Sequence, residues 1–383
     1  MADASDRDDR AAGLTRLRRA LLAAGRRVRT ARLIAYALAA RHRPILAQIV
    51  ATRRCNLACA YCNEFDAVSA PLPTHLLVGR VDRLAALGTL SIDLSGGEPL
   101  LHPDVEQIIG RIRHHGILAG LLTNGYLLTP ERIRGLNRAG LDRLQISIDN
   151  VTPDDVSRKS LKVLDQKLRL LAAHAEFDVS INSVLGSGVQ QPDAALAIAK
   201  RALELGFGTS IGLVHDGSGQ MVPLEAEQRR IYGRIASLGR GFYSHAHDSR
   251  FQRNLIDGVP NEWQCRAGAR YLYVCEDGLV HWCSQQRGHP GIPLDRYGAA
   301  DLEREHGSVK SCAPFCTVSC VYRVALVDSL REKPLETLDG LLVAHRERGG
   351  HTPLSVGLLR WMFLTGPPRN LFRKLALRAL RTP

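Results

Sequence analysis

Ile45-Leu46-Ala47-Gln48-Ile49-Val50-Ala51-Thr52 runs directly into Arg53-Arg54-Cys55-Asn56-Leu57-Ala58-Cys59-Ala60-Tyr61-Cys62. The first eight residues are an apolar run rich in β-branched side chains, which predicts a buried strand over 45–52. The strand gives way to a loop carrying three closely spaced cysteines. Similar short apolar runs recur at 90–94, 117–122, 143–148, 178–185 and 209–214, with helical text such as 105–115 and 130–139 between them. A repeat of roughly 30 residues is the length of a βα unit, and near-continuous apolar strands belong to parallel sheets. Six such units over 44–215 predict an α/β fold, an open, partial (β/α)6 TIM-like barrel rather than the full eight. The cysteine loop then falls at the C-terminal mouth, where βα loops carry chemistry.

The rest of the chain divides around that barrel. Residues 1–43 are helical and Arg-rich, 216–262 read as a polar helical linker, and 331–383 combine apolar and basic residues. Between the last two, 263–330 holds two short strands around the turn Glu276-Asp277-Gly278, flanked by cysteines, a small β-hairpin-containing cysteine-rich domain. Of 383 residues 45% are hydrophobic and 23% charged, close to globular averages, which excludes wholesale disorder and fibrous repeats. The net charge of +13 favours an anionic partner without choosing one. No run reaches the length of a membrane span, and residues 1–9 are polar and acidic rather than a signal peptide, so the expectation is a cytoplasmic protein.

The nine cysteines fall into two groups, Cys55, Cys59 and Cys62, then Cys265, Cys275, Cys283, Cys312, Cys316 and Cys320. In a reducing compartment such clusters hold metal rather than disulfides. Three thiolates on one loop leave one iron of a four-iron cube open to a further ligand. A structural zinc knuckle would want four ligands, and no His lies in the loop.

The loop resembles the radical S-adenosylmethionine (SAM) superfamily signature, Cys-x3-Cys-x2-Cys with an aromatic, here Tyr61, before the last cysteine. Ser95-Gly96-Gly97-Glu98-Pro99 resembles the family's GGEP element, and Thr123-Asn124-Gly125 and Ser147-Ile148-Asp149-Asn150 resemble its later strand-end elements. The resemblance covers about residues 44–215. It implies a 4Fe-4S cluster on Cys55, Cys59 and Cys62, with SAM contacted by Tyr61, Gly96, Gly97, Glu98, Asn124 and Ser147. Asn182 and Arg158 are weaker candidates that read better as structural or solvated. No side chain is singled out as catalytic. The implied chemistry is one-electron cleavage of SAM to a 5′-deoxyadenosyl radical that removes hydrogen from an unactivated carbon, with a reductant such as flavodoxin or ferredoxin.

Cys265, Gly278 and Cys283 resemble the opening of the SPASM and twitch extensions, which carry auxiliary 4Fe-4S clusters. The full SPASM pattern has seven cysteines, and six do not readily build two fully thiolate-ligated cubes. The resemblance therefore implies one auxiliary cluster on Cys265, Cys283 and two of Cys312, Cys316 and Cys320, with Cys275 an alternative ligand. A zinc site using four of the six, or using His281, is the competing reading.

Interleaved Arg and Leu over 14–38, and Trp361, Met362, Phe363, Leu371 and Phe372 beside Arg360, Arg369, Arg373 and Lys374, have the composition of basic amphipathic helices. Such helices suit the surface of an anionic bilayer, and equally a solvated face over the barrel. The expected substrate is therefore a lipid or lipid precursor at the membrane. A peptide is the alternative, although 43 residues before the first strand are fewer than many peptide-recognition domains need. A non-catalytic iron–sulfur electron carrier is the reading of another class. No RNA-binding module is legible, so nucleic acid is not expected.

Overall fold

The computed structural model describes residues 3–62, 65–215, 221–238 and 249–346, together with 357, 361, 365 and 366. A long helix α1 (Asp3–Ala39) leads into β1 (Leu46–Thr52), α2 (Thr74–Ala86), β2 (Ser91–Gly96), α3 (Val105–His114), β3 (Leu118–Thr123), α4 (Pro130–Ala139), β4 (Arg143–Ser147), α5 (Leu161–His174), β5 (Asp178–Gly186), α6 (Asp193–Glu204) and β6 (Gly208–Val214). These are the six predicted units, with strand limits within two residues of those expected. Local chemistry explains the agreement. In α4, Thr129 caps the helix by accepting from the Arg132 N–H, Pro130 occupies the first turn, and Gly140 closes the end at φ 83°. The polar text after β6 contains α7 (Ala226–Leu238) and α8 (Ser249–Ile256). Then come β7 (Tyr271–Val274), β8 (Leu279–His281), β9 (Pro290–Pro293), α9 (Ala299–Gly307), α10 (Ser319–Glu332) and α11 (Pro334–Arg346).

The strands form one sheet in the order β6-β5-β4-β3-β2-β1-β7-β8-β9. From β6 to β7 every neighbour is parallel, and β7, β8 and β9 pair antiparallel. The predicted hairpin exists, but it is not a separate layer: β7 adds to β1 with Leu46 beside Tyr271 and Ile49 beside Val274. The second cysteine group is thereby built onto the same sheet as the first. Both sheet edges are protected in the ways such edges require. Gln252 of α8 donates to the Ile211 carbonyl of β6 at 2.7 Å, and Pro290 and Pro293 bound β9.

The two faces of the strands differ more than the sequence suggests. Ala47, Ile49, Ile92, Leu94, Leu121, Leu144, Ile146 and Ile181 pack with the helices into the main core. Alternate residues, on the lumen side, include several polar pairs: Arg143 bonds Asp93 and Ser91, Tyr271 bonds Gln48, and Ser210 bonds Asn182. Gly120 makes room for the Arg143–Asp93 pair, since a Cβ there would lie 1.9 Å from the Asp93 carboxylate. These pairs share the lumen with Leu122, Val184 and Val214, so its wall mixes polar and apolar side chains.

α1 is tied to the barrel by its arginines. Arg26 bonds the Glu176 carbonyl and the Asp178 carboxylate, and Arg29 bonds Asp142 at 2.8 Å, at the starts of β4 and β5. Arg270 reaches the carbonyl of Ala37 in the last turn of α1 and those of Ala40 and Arg43 just beyond it, and its other side faces Asp328 of α10. Leu21, Val28 and Ile34 remain exposed. The side chains of Leu14, Arg16, Leu17, Arg18 and Arg19 lie outside the described residues, as do Arg360, Met362, Phe363, Arg369, Leu371, Phe372, Arg373 and Lys374. Among the described residues no helix is long and apolar enough to cross a membrane.

Candidate active site

The cysteine loop leaves β1 at the barrel mouth and is held at its neck by Cys55 N–H to the Asp66 carbonyl (3.0 Å) and Asp66 N–H to the Arg53 carbonyl (2.8 Å). Cys62 N–H closes a turn onto the Cys59 carbonyl at 3.0 Å, and Ala60 N–H bonds the Val156 carbonyl beyond β4 at 2.9 Å. The two glycines of the GGEP element sit against this loop. A Cβ on Gly96 would meet the Thr52 carbonyl oxygen at 2.2 Å, and one on Gly97 the Arg53 carbonyl oxygen at 2.3 Å. Gly97 N–H and Glu98 N–H bond the carbonyls of Thr52 and Arg54, locking the two loops together.

Glu98 is fully buried, and its carboxylate accepts from Leu100 N–H (2.9 Å), Thr123 O–H (2.7 Å) and Asn124 N–H (2.7 Å). Burial pushes its pKa above the ordinary range against these bonds. Its visible work is to fix the end of β3. Asn124, so fixed, donates from Nδ2 to Asn56 at 2.7 Å and to the Cys55 sulfur at 3.7 Å.

A second group lies on the other side of the loop. Tyr61 O–H donates to Asp149 Oδ2 at 2.5 Å, Lys159 Nζ donates to Tyr61 at 2.5 Å, and Lys159 stands 3.1 Å from the same carboxylate. Burial raises the Tyr61 phenol pKa well above its usual value. Burial also works against the Lys159 ammonium, but Asp149, Tyr61 and Cys59 outweigh it and hold the lysine charged. Sequence reasoning missed Lys159, Asp149 and Ser157 as site residues. Arg158 and Asn182, the weaker candidates read as structural or solvated, are exposed and bonded to Ser210 respectively. Two adjacent basic residues look alike in sequence, and only the turn after β4 decides which one faces inward.

One cavity gathers Cys55, Cys59, Cys62, Gly96, Gly97, Asn124 and Ser147, with Lys159 the single charged group on its wall among the described residues. Tyr61 and Asp149 line the neighbouring cavity with Asn150, Val184 and Val214. Three buried oxygens on these walls have no partner among the described residues: Ser95 Oγ, Asp149 Oδ1 and Asn150 Oδ1. Orphaned acceptors are costly unless a ligand satisfies them, so the cavities fit a polar molecule rich in donors. The donor set suits a cluster: three thiols, with no His and no fourth Cys on the cavity wall among the described residues, leave one iron of a four-iron cube open, whereas structural zinc takes four protein ligands.

The second cysteine group converges around β7, β8 and the start of α10. Cys265, Cys283, Cys312 and Cys316 perturb one another electrostatically, and Cys320 also reaches Cys283 while bonding Tyr271. Burial pushes the Cys283 thiol up to about 12 and the Cys320 thiol up to about 11, so a bound cation is needed before these sulfurs ionise. Cys275 stands apart, with its sulfur near Asp277 and His281. Zinc through His281 does not fit there. Its Nδ1 accepts the Gly288 N–H at 2.8 Å, so Nε2, the atom facing Asp277, carries the ring proton.

Residues 49–217 match the radical SAM superfamily. The "PqqA peptide cyclase" of Ruegeria pomeroyi is 38% identical over 276 residues, covering 66% of this chain and 71% of that protein. That of Methylocella silvestris is 40% identical over 261 residues, covering 63% and 68%. The chain belongs to the radical SAM superfamily. In fold it is similar to Streptococcus suis SuiB bound to precursor peptide SuiA, with a TM-score of 0.52 at 15% identity over 76% of this chain and 74% of that one. It is a radical SAM enzyme, using a 4Fe-4S cluster and SAM.

Proposed function

We propose that this enzyme modifies a peptide by radical chemistry begun at the Cys55, Cys59 and Cys62 loop. The observation that carries the reading is the kinship, at 38 and 40% identity over about two thirds of the chain, with proteins named for cyclising a peptide. It displaces the lipid expected from the basic ends, and Arg26 and Arg29, part of that expectation, are spent on the barrel.

Cys55, Cys59 and Cys62 would hold the 4Fe-4S cluster, and the bound cluster and SAM would supply a 5′-deoxyadenosyl radical. Lys159 is the cation placed to meet the carboxylate of SAM, while Ser95, Asp149 and Asn150 offer acceptors for its amino and hydroxyl groups. Gly96 and Gly97 keep the GGEP backbone against the cysteine loop, and Glu98 holds Asn124 in place, so these residues shape the site from behind. Cys265, Cys283, Cys312 and Cys316 would carry the auxiliary cluster, beside the β7–β8 hairpin that joins the sheet through β1.

The test is anaerobic reconstitution with iron and sulfide, then dithionite and SAM, with 5′-deoxyadenosine measured for wild type and Cys59→Ala. Wild type should form it and the variant should not; equal product from both refutes the assignment of the loop. The peptide reading is tested with a short peptide encoded beside the gene. It should bind and lose hydrogen on turnover, and an unchanged mass with active enzyme would remove the peptide from the proposal.

A further inference from the structure

The three cysteines of the loop are not equivalent. Cys59 is buried at 7% exposure, whereas Cys55 and Cys62 are half-buried. Its sulfur lies 3.5 Å from the hydroxyl of Ser157, itself 2% exposed. Ser157 is held rigidly: its N–H and that of Val156 bond Asp154, and its oxygen accepts the Lys159 N–H at 3.2 Å. That hydroxyl has one proton to give. With Cys59 as a free thiol it goes to Asp149 Oδ2 at 2.6 Å.

Asp149 Oδ2 is over-supplied, since it also receives Tyr61 O–H and faces Lys159 at 3.1 Å. A thiolate on iron can only accept. We infer that Ser157 is a positioning residue of the radical SAM centre, whose hydroxyl turns from Asp149 to the Cys59 thiolate when the cluster is in place and favours the reduced cluster. Tyr61 and Lys159 keep Asp149 satisfied after the turn. Hydrogen bonds to ligand sulfurs stabilise the more negative state, which raises the reduction potential.

The inference rests on the radical SAM reading of this loop, and its test separates the two. The midpoint potential is measured by EPR-monitored titration of the reconstituted full chain, following the signal that changes when SAM is added, with iron content determined in parallel. Ser157→Thr and Ser157→Val have the same shape and differ in the hydroxyl. The Val variant, and Ser157→Ala, should show a tenfold lower ratio of reduced to oxidised cluster at a fixed potential, about 59 mV for a one-electron couple. The Thr variant should stay near wild type. Equal potentials in Thr and Val variants of equal iron content overturn the inference. Should neither Val nor Ala hold iron, equal loss in the Thr variant overturns it and retention in Thr supports it. A wild type with no SAM-responsive signal removes the underlying reading as well.

Discussion

Gly97→Ala is the sharpest test of how the site is assembled. Gly97 has an ordinary negative φ, so alanine brings no backbone strain, unlike Gly96 at φ 124°. The new methyl carbon would lie 2.3 Å from the Arg53 carbonyl oxygen, 2.4 Å from that of Arg54 and 2.6 Å from the Arg54 carbonyl carbon. All three are main-chain atoms and cannot rotate away. Restoring ordinary contact moves this backbone, which directly precedes Cys55, by about 1 Å. Forced overpacking of this kind costs about 1–3 kcal/mol of stability. A displacement of about 1 Å at reacting groups can cost roughly 100-fold in rate. The assay is 5′-deoxyadenosine formation under dithionite, with melting temperature and iron per chain alongside. Gly79→Ala is the control: it sits in α2 with nothing within 4 Å of its Cβ, and should gain about 0.5–1 kcal/mol at full activity. A Gly97→Ala enzyme with wild-type rate and melting temperature would refute the claim that these glycines exist to bring two backbones together.

Other consequences are equally direct. Asp328 is 1% exposed and faces Arg270, Arg266, His306 and Arg331, so Asp328→Asn strands buried cations and should cost about 3–5 kcal/mol in urea unfolding. Burial raises the Asp328 pKa, but the His306 bond and Arg270 and Arg331 outweigh it and leave it below 3.8. A depressed folded-state pKa means the advantage over Asn is full above about pH 4 and fades as pH falls through the folded value. Equal stabilities at pH 7 would contradict this. Cys316→Ser should lose the auxiliary irons, about four per chain, whereas Cys275→Ser should keep them; the opposite order in iron analysis would reverse the ligand assignment. Lys159→Met should weaken SAM binding at least tenfold by equilibrium dialysis, for the loss of one charge-assisted bond of about 1.5–3 kcal/mol; unchanged affinity would remove Lys159 from the site.

The strands and their connecting helices were legible because parallel strands are short apolar runs closed by Gly, Asn or Pro, and those signals are local. The cysteine loop, the GGEP element and the strand-end Asn124 and Ser147 were legible for the same reason: each is a fixed string beside a strand end, and the structure gathers them at one cavity. Glu98 was legible as important from its string; its bonds to the Thr123 hydroxyl and the Asn124 N–H, 25 and 26 residues away, were not.

The amino-acid sequence by itself therefore determined the number and order of the βα units, the division of the cysteines into two groups and the family, since periodicity and short spacing survive without coordinates. Tertiary structure alone decided that the second cysteine group joins the sheet through β7 and β1, that polar pairs such as Arg143–Asp93 cross the lumen, that Arg26 and Arg29 serve the barrel, and that Lys159 rather than Arg158 faces the cysteines. Each of those depends on contacts between residues distant in the chain, and the energy of a distant contact leaves no periodic trace in the strings of residues that make it.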